Sequence, residues 1–292
     1  MPSLLVQVKA KMALHAHEKV RGLLEGEYGS VFKGRSMDFD DLREYTPGDD
    51  VKDIDWKATA RSGNTLIRRY VAVRKHNILL VVDTGRNMAA TSADGDNKRD
   101  VAVMTAGVIS YIALKHGDLV GLVAGDTQRT VYMPFKGTTP HVERLLQDIH
   151  TNTALTAAPG NIVTQLEYIA KNLRRRMMLV VISDDSDITP AHQQVLRRLR
   201  AQHEIIWLTI GDASGLDEVE YFDIDGVAAL PHSIRSSAAL QQAFAADEAA
   251  RIHGKTKTLE RLGIVSERIT GDAAVVSGLF KALERQKYAA RG

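Results

Sequence analysis

The chain has 292 residues, long enough to bury a substantial hydrophobic core in one large domain or two small ones. Its 38 Lys and Arg residues nearly balance its 36 Asp and Glu residues, so the overall charge gives no electrostatic reason to expect nucleic acid or an anionic membrane as a partner. The absence of cysteine excludes disulfides, zinc–thiolate sites, iron–sulfur clusters and cysteine nucleophiles, and it fits a reducing compartment.

The first 24 residues predict a helix with an apolar face. Charged residues interrupt this segment too early for the core of a signal peptide, and no apolar run approaches the roughly 20 residues needed to cross a bilayer. We therefore predict a cytoplasmic protein whose first helix docks on the rest of the chain. A helix lying on a membrane surface is the alternative, which Glu18 and Glu25 disfavour. The apolar positions at helical spacing are Leu4, Leu5, Val8, Met12, Val20, Leu23 and Leu24.

Residues 25–76 are rich in charge and in turn-forming residues. Acidic residues cluster between Asp38 and Asp55, and arginines follow up to residue 74. Pro47-Gly48 has the chemistry of a turn, because proline presets its own φ and glycine accepts a positive φ. The alternation in Leu66–Val73 predicts a strand that leads toward the core.

From residue 77 onward, apolar runs alternate with amphipathic segments. This pattern is typical of a doubly wound, mainly parallel sheet covered on both faces, a Rossmann-type α/β fold. We expect residues 1–76 to form a helical and charged extension packed on the sheet, and residues 77–292 to form the α/β domain with C-terminal helices. Strands are predicted over Asn77–Asp83, Leu119–Ala124, Thr130–Pro134, Met177–Ser183, Glu204–Ile210 and Gly263–Ile269. Helices are predicted over Asp100–Lys115, His141–Ile149, Ile162–Leu173 and Pro190–Arg200, and after Ser233.

Two of the predicted strands end in acids, Asp83 after the first and Asp184-Asp185 after the fourth. Ligands of open α/β sheets bind beyond the carboxyl ends of the strands, where the strand order reverses. If these strands are neighbours there, their carboxylates converge into a set of oxygens suited to Mg²⁺ or Ca²⁺. Alternatively, each acid only caps the helix that follows its strand.

Motifs of several enzyme classes are missing from the sequence. It contains no G-x-G-x-x-G after the first buried strand, no phosphate-binding P-loop and no G-x-S-x-G nucleophile elbow. A phosphatase of the haloacid dehalogenase type needs a second Asp two residues after Asp83, where this chain has Gly85. A metal-dependent phosphoester hydrolase using Asp83, Asp184 and Asp185 stays as the alternative function, although no nucleophile or general base accompanies them.

The stretch GRSMDFDDLREYTPGDDVKDIDWKATARSG, residues 34–63, closely resembles the signature of the domain-of-unknown-function 58 family. The later segments GDLVGLVAGD, RRRMMLVVISDD and HEIIWLTIGD also match that family. The resemblance implies a von Willebrand factor A-like fold. It further implies a non-enzymatic protein-interaction module, an adaptor or cofactor of a MoxR-type AAA+ ATPase in protein maturation or complex assembly.

The resemblance also implies a degenerate metal-ion-dependent adhesion site. Asp83 and Asp184 match its two aspartates, whereas Gly85 and Asn87 stand at its two serine positions and Gly160 at its threonine position. Glycine supplies no side-chain oxygen, so the candidate ligands are Asp83, Asn87 and Asp184, and any Mg²⁺ is expected to bind weakly.

Two groups of residues are the candidates for partner binding. The first consists of Asp83, Asn87 and Asp184 at the strand ends, and the second of Asp49 and Asp50 beside the exposed-looking turn. In the remaining signature residues we expect a structural role, with Trp56 as an apolar anchor for a network of paired charges. These residues are Arg43, Asp55, Trp56 and Arg61.

Overall fold

A computed structural model describes residues 3–15, 18–33, 41–46, 48–49, 51, 54–69, 75–213, 222–223, 228–229 and 237–289. Its helices are α1 (Leu4–His15), α2 (Glu18–Lys33), α3 (Trp56–Ser62), α4 (Lys98–Lys115), α5 (Thr139–Asn152), α6 (Ile162–Asn172), α7 (Pro190–Gln202), α8 (Ala238–Arg261) and α9 (Val275–Ala289). Its strands are β1 (Asp41–Glu44), β2 (Leu66–Arg69), β3 (Asn77–Asp83), β4 (Leu119–Gly125), β5 (Thr130–Lys136), β6 (Met178–Ser183), β7 (Glu204–Ile210), β8 (Phe222–Asp223), β9 (Ala228–Ala229) and β10 (Val265–Ile269). In the part of the chain so described, no helix is long and apolar enough to cross a membrane.

Six strands form the central sheet in the order β10-β7-β6-β3-β4-β5. Neighbouring strands are parallel, except that the edge strand β5 runs antiparallel to β4. Numbered along the chain, these six strands have the doubly wound order 3-2-1-4-5-6, which reverses between β3 and β6. The prediction of a doubly wound, mainly parallel α/β sheet is confirmed.

The apolar strands are continuous because both faces of the sheet are covered. In β3, Ile78, Leu80 and Val82 belong to the core on one face, beneath α1, α4, α5 and α9. Leu79 and Val81 belong to the core on the other face, beneath α6, α7 and the end of α8. Every residue of β3 is buried, and this burial removes the polar–apolar alternation of a half-exposed strand.

The predicted N-terminal helix is two helices, α1 and α2, and both pack on the α/β domain. Leu5, Val8 and Met12 of α1 are buried in the core under α4 and α5. Gly107 of α4 permits this approach, because a Cβ built there would lie 2.6 Å from Val8 Cγ2. Leu24 and Tyr28 are buried on α2, whereas Leu23 is half exposed and the side chain of Val20 lies outside the described residues.

The signature segment forms a small hairpin of its own. The predicted strand Leu66–Val73 is seen as β2, which pairs antiparallel with β1 and not with the central sheet, and residues 70–74 lie outside the described part. The prediction that Trp56 is an apolar anchor is wrong. Trp56 opens the short helix α3, which buries none of its residues, and Trp56 itself is 66% exposed.

Candidate functional site

The carboxyl ends of β3 and β6 bring together the residues that the sequence singled out. Asp83 ends β3, Asn87 lies on the 3-10 turn that follows it, and Asp184 directly follows β6, the parallel neighbour of β3. The Asn87 side-chain amide donates a hydrogen bond to the Asp184 carboxylate. We call Asp83, Asn87, Gly160 and Asp184 the switch-point site.

Gly160 lies at this site, beside Asp83 and Asn87. A Cβ built on Gly160 would be 2.4 Å from Asn87 Oδ1 and 2.6 Å from Asp83 Oδ2. A Cβ built on Gly85 would be 2.3 Å from both the N and the Cα of Gly160. The two loops are therefore in backbone contact at Gly85, where there is no space for a serine, whereas a side chain at Gly160 would meet the ends of the Asp83 and Asn87 side chains.

The Asp184 carboxylate is surrounded by hydrogen-bond donors. Its Oδ1 accepts from the Ser186 amide at 3.1 Å, and its Oδ2 accepts from Ser186 Oγ at 2.7 Å and from Asn87. Burial alone would raise the pKa of Asp184. The positive charge of Lys98, the Ser186 hydrogen bond and further donors outweigh burial and lower this pKa below its ordinary value, so the carboxylate is ionised.

Beyond the switch-point site, the same sheet edge carries a group of ion pairs that we call the charged cluster. Its members are Lys98, Asp185, Asp212, Lys255 and Arg268. Lys98 is paired with Asp212, and Arg268 binds Asp185 Oδ2 through Nη2 at 2.7 Å and Nε at 3.0 Å. Lys255 donates to the Asp184 main-chain carbonyl at 2.6 Å. The Asp212 amide also donates to Asp185 Oδ2 at 3.0 Å, which ties the ends of β6 and β7 together.

Burial governs the electrostatics of the charged cluster. Lys98 is fully buried and Lys255 is 6% exposed. Burial lowers the pKa of Lys255, and the carboxylates of Asp184 and its neighbours offset only part of that effect. Burial likewise raises the pKa of Asp212, although Lys98 opposes the rise. The two lysines are therefore held in a medium where an ammonium ion needs carboxylates and carbonyls around it.

The sequence did not single out the cationic members of the charged cluster, but some signals were present. Asp212 follows β7 after one glycine, so a third strand of the sheet has an acid at its carboxyl end, as β3 and β6 do. Lys98 is the first residue of α4, which begins two residues earlier than predicted. On α8, Arg251 and Lys255 are four residues apart and share a face, and Arg251 donates to the Asp185 carbonyl at 2.7 Å.

The donor set at this edge does not fit a divalent cation. Asp184 faces an amide N–H of Asn87 where a metal ligand would need a free lone pair, and two of the family's ligand positions are glycines, of which Gly85 is closed to a side chain by the Gly160 backbone. Asp185, a ligand in the hydrolase alternative, is held by Arg268. Among the described residues, no three or more His, Cys, Asp or Glu side chains form a group that could hold a metal ion.

The second group of candidate partner-binding residues lies in the signature segment, between β1 and α3. Asp49 is paired with Arg43 and accepts from the Thr46 amide at 2.9 Å. The hydrogen bond from Arg43 and those from Thr46 lower the pKa of Asp49 to about 2. Asp55 caps α3 through the amides of residues 57 and 58, and Arg61 is exposed. Asp50 lies outside the described residues.

The strand order, the antiparallel edge strand and the acids at the reversal define a von Willebrand factor A-like α/β protein. Residues 41–218 match the sequence model described as "Protein of unknown function DUF58". Because this match spans more than half of the chain, the protein belongs to the DUF58 family.

Among curated proteins, the chain is similar to the uncharacterized protein Rv1480 of Mycobacterium tuberculosis (strain ATCC 25618 / H37Rv). The two are 26% identical over 257 residues, which cover 86% of this chain and 80% of the relative. The uncharacterized protein Mb1516 of Mycobacterium bovis matches with the same identity and coverage.

Two solved structures are also similar. An aerotolerance-related membrane protein from Bacteroides fragilis has a TM-score of 0.42 at 14% identity, over 72% of this chain and 99% of that one. A von Willebrand factor type A protein from Catenulispora acidiphila has a TM-score of 0.41 at 9% identity, over 76% of this chain and 44% of that one.

Proposed function

We propose that this protein is a non-enzymatic protein-interaction module that binds its partner at the sheet edge around the switch-point site. The expected partner is a MoxR-type AAA+ ATPase, and the expected role is that of an adaptor or cofactor in protein maturation or complex assembly in the cytoplasm. The resemblance of the signature segment to its family supports this choice of partner.

The position of the switch-point site is the observation that carries the proposal. It lies beyond the carboxyl ends of β3 and β6, where the strand order reverses, and open α/β sheets bind their ligands at this place. The loops around it present exposed polar residues, namely Asn161, Ser186 and Asp187. A partner can therefore reach this edge through side chains that are not needed for the core.

The hydrogen bonds of the site support a binding role over the hydrolase alternative. Both Asp184 oxygens accept from neighbouring donors, and Asp185 is buried in an ion pair with Arg268. A hydrolase would have to break these bonds to free its metal ligands, at a cost of about 3–5 kcal/mol for a buried pair. A binding module does not have to break these bonds, and they make the carboxyl end of the sheet rigid.

Affinity capture from native lysate tests the proposal. We expect the unaltered protein to retain a MoxR-type ATPase, identified by mass spectrometry, in Mg²⁺ and in chelator alike. Asp187→Lys should reduce that capture, because it reverses a charge at the rim of the site. Glu260→Lys is the matched control, an exposed acid near the end of α8, at the opposite edge of the sheet.

Three results would count against this function. Equal capture by both variants would show that the partner does not bind at the carboxyl end of the sheet. Capture of no ATPase in any nucleotide state would exclude a MoxR-type ATPase as the partner. Hydrolysis of a generic phosphoester with Mg²⁺ or Mn²⁺ that is lost in Asp83→Asn would favour the enzyme instead.

A further inference from the structure

Two lysines of the charged cluster are buried where their charge is expensive to keep. Lys98 has no exposed surface and is paired with Asp212. Lys255 is 6% exposed, and its ammonium donates to the Asp184 carbonyl at 2.6 Å. An uncompensated ammonium in such a place would cost several kcal/mol. The lysines therefore need the carboxylates of this edge, and the carboxylates need them.

We infer that Lys98 and Lys255, with Arg268, supply at this sheet edge the positive charge that a divalent cation supplies in a metal-ion-dependent adhesion site. The protein holds its strand-end carboxylates together without a metal.

Within the charged cluster and Asp184, acids and cations are equal in number; at the same edge Asp83 accepts from the Gly85 amide at 2.7 Å, and Arg251 adds a further cation on the Asp185 carbonyl. The acids Asp184, Asp185 and Asp212 stand against the cations Lys98, Lys255 and Arg268. Lys98 is paired with Asp212, and its positive charge also stabilises the Asp184 carboxylate. One ammonium group therefore interacts with acids at the ends of both β6 and β7. A divalent cation added to this balanced set would meet two buried ammonium groups in a medium of low polarity, where repulsion between like charges is strong.

The hydrogen-bond directions agree with the charge balance. Asn87 turns its amide N–H toward Asp184, and its carbonyl oxygen, which is buried without a hydrogen-bond partner among the described residues, lies beside Gly160. Ser186 places its amide and its hydroxyl on the same carboxylate. Donors therefore surround Asp184 on the sides where a cation would require oxygen atoms.

A lysine differs from a bound cation in one functional respect, because it cannot dissociate. The edge of the sheet then has the same charge at any concentration of Mg²⁺ or Ca²⁺. Stability should not depend on divalent cations, whereas it should depend strongly on the buried ammonium of Lys98.

The first test uses the unaltered full chain, and it needs no knowledge of the partner. We expect the denaturant midpoint of unfolding to be the same in Mg²⁺, Mn²⁺, Ca²⁺ and EDTA. A cation that binds the folded state must raise the midpoint as its concentration rises. Such a rise, if Asp184→Asn removes it, would overturn the inference.

The second test is a double-mutant cycle on Lys98 and Asp212. Lys98→Met should cause a loss of stability that raises the equilibrium constant for unfolding roughly a hundredfold or more, since it leaves the buried Asp184 carboxylate, and the Asp212 side chain that is 31% exposed, without this cation. Adding Asp212→Asn should recover part of that loss. The matched control is Lys115→Met on the same helix, whose lysine is 46% exposed and paired with Glu25, and it should change the constant less than about fivefold.

Two outcomes of the cycle would overturn the inference. One is a Lys98→Met variant that loses no more stability than Lys115→Met, and the other is additive losses in the double variant. If Lys98→Met alone does not fold, the double variant is still expected to fold, and its failure to do so would count as additivity.

Discussion

Gly85 and Gly160 face each other at the switch-point site, and their missing side chains have a steric reason. The loops that carry them touch through backbone atoms, and a Cβ on either glycine would overlap the other loop. In the sequence these positions indicate only that two oxygen ligands are absent. In the structure the Gly160 backbone also closes the space for a side chain at Gly85, and the ends of the Asp83 and Asn87 side chains occupy the space beside Gly160.

His192 is a residue whose protonation the fold opposes. Its ring lies at the start of α7, where Nδ1 accepts from the Thr189 amide at 3.1 Å and completes a capping box. Burial, and then the charge of Lys255, lower its pKa from 6.5 to about 4, although Asp184 opposes them. The folded protein therefore keeps this imidazole neutral at pH values where the unfolded chain protonates it.

We predict that stability falls as the pH drops from about 6.5 to about 4, by up to about 3 kcal/mol from this group. The sign follows from the lowered folded-state pKa, since the unfolded chain binds the extra proton in that window. His192→Gln should flatten the dependence while glutamine keeps the capping box. The free energy of unfolding measured against pH checks this, with His253→Gln, at an exposed histidine, as the matched control.

At the scale of the element, the docking of α1 depends on one carboxylate from a distant helix. Glu143 of α5 accepts from Ser3 Oγ at 2.6 Å, from the Leu4 amide at 2.9 Å and from the Leu5 amide at 3.0 Å. These amides begin α1 and have no partner within the helix. Glu143 thus caps α1 from outside and adds a negative charge at the positive end of its dipole.

We predict that Glu143→Ala loosens α1 and lowers the free energy of unfolding by about 1–3 kcal/mol. Hydrogen exchange at the amides of Val8 and Met12 should quicken, because fraying of α1 exposes them before the sheet opens. Glu167→Ala replaces an exposed glutamate on α6 and should leave the same amides protected. Unchanged protection in both variants would mean that the apolar face alone holds α1.

The helix α8 shows how one element serves two parts of the molecule. Its first half, residues 238–250, has no buried residue, whereas Lys255 and Leu259 near its end are buried. Arg251 and Lys255 reach the carbonyls of Asp185 and Asp184 in the following turns. The first half of α8 is therefore rich in alanine and yet exposed, whereas the more highly charged second half supplies Lys255 to the charged cluster.

At the scale of the whole molecule, the charged cluster joins parts that are distant in sequence. Arg268 on the edge strand β10 pairs with Asp185 after β6, 83 residues earlier, across the end of β7. Asp185 is 2% exposed on its side chain. Loss of Arg268 would leave a buried carboxylate without its cation, which is more costly than the loss of a surface pair.

We predict that Arg268→Met lowers the free energy of unfolding by about 3–5 kcal/mol and that Asp185→Asn in the same chain recovers part of it. Circular dichroism and the fluorescence of Trp207, which is buried on β7, should report one shared transition. Arg285→Met is the control, since that arginine is 46% exposed and pairs with Glu267 at the surface. A variant as stable as this control would show that the Asp185 pair does not link β10 to the core.

Several elements could be predicted from local pattern alone. Asn77–Asp83 and Glu204–Ile210 were predicted with their observed bounds, because a strand buried on both faces is a continuous apolar run between polar residues. The hairpin of β1 and β2 was not predicted as a separate unit, since alternation shows that a strand exists but not which strand it pairs with. Trp56 was misjudged for a similar reason, because its type favours burial but the short helix that carries it lies open to solvent.

The sequence by itself determined the α/β class, the family resemblance and the acids at the strand ends, because each can be recognised in a short run of residues or in the spacing of apolar residues along the chain. Only the tertiary structure decided what neutralises those acids. Lys98, Lys255 and Arg268 come from α4, α8 and β10, and no pattern along the chain shows that three separate elements deliver their charges to one edge of the sheet. Their pairing depends on the strand order, which places the ends of β3, β6 and β7 side by side.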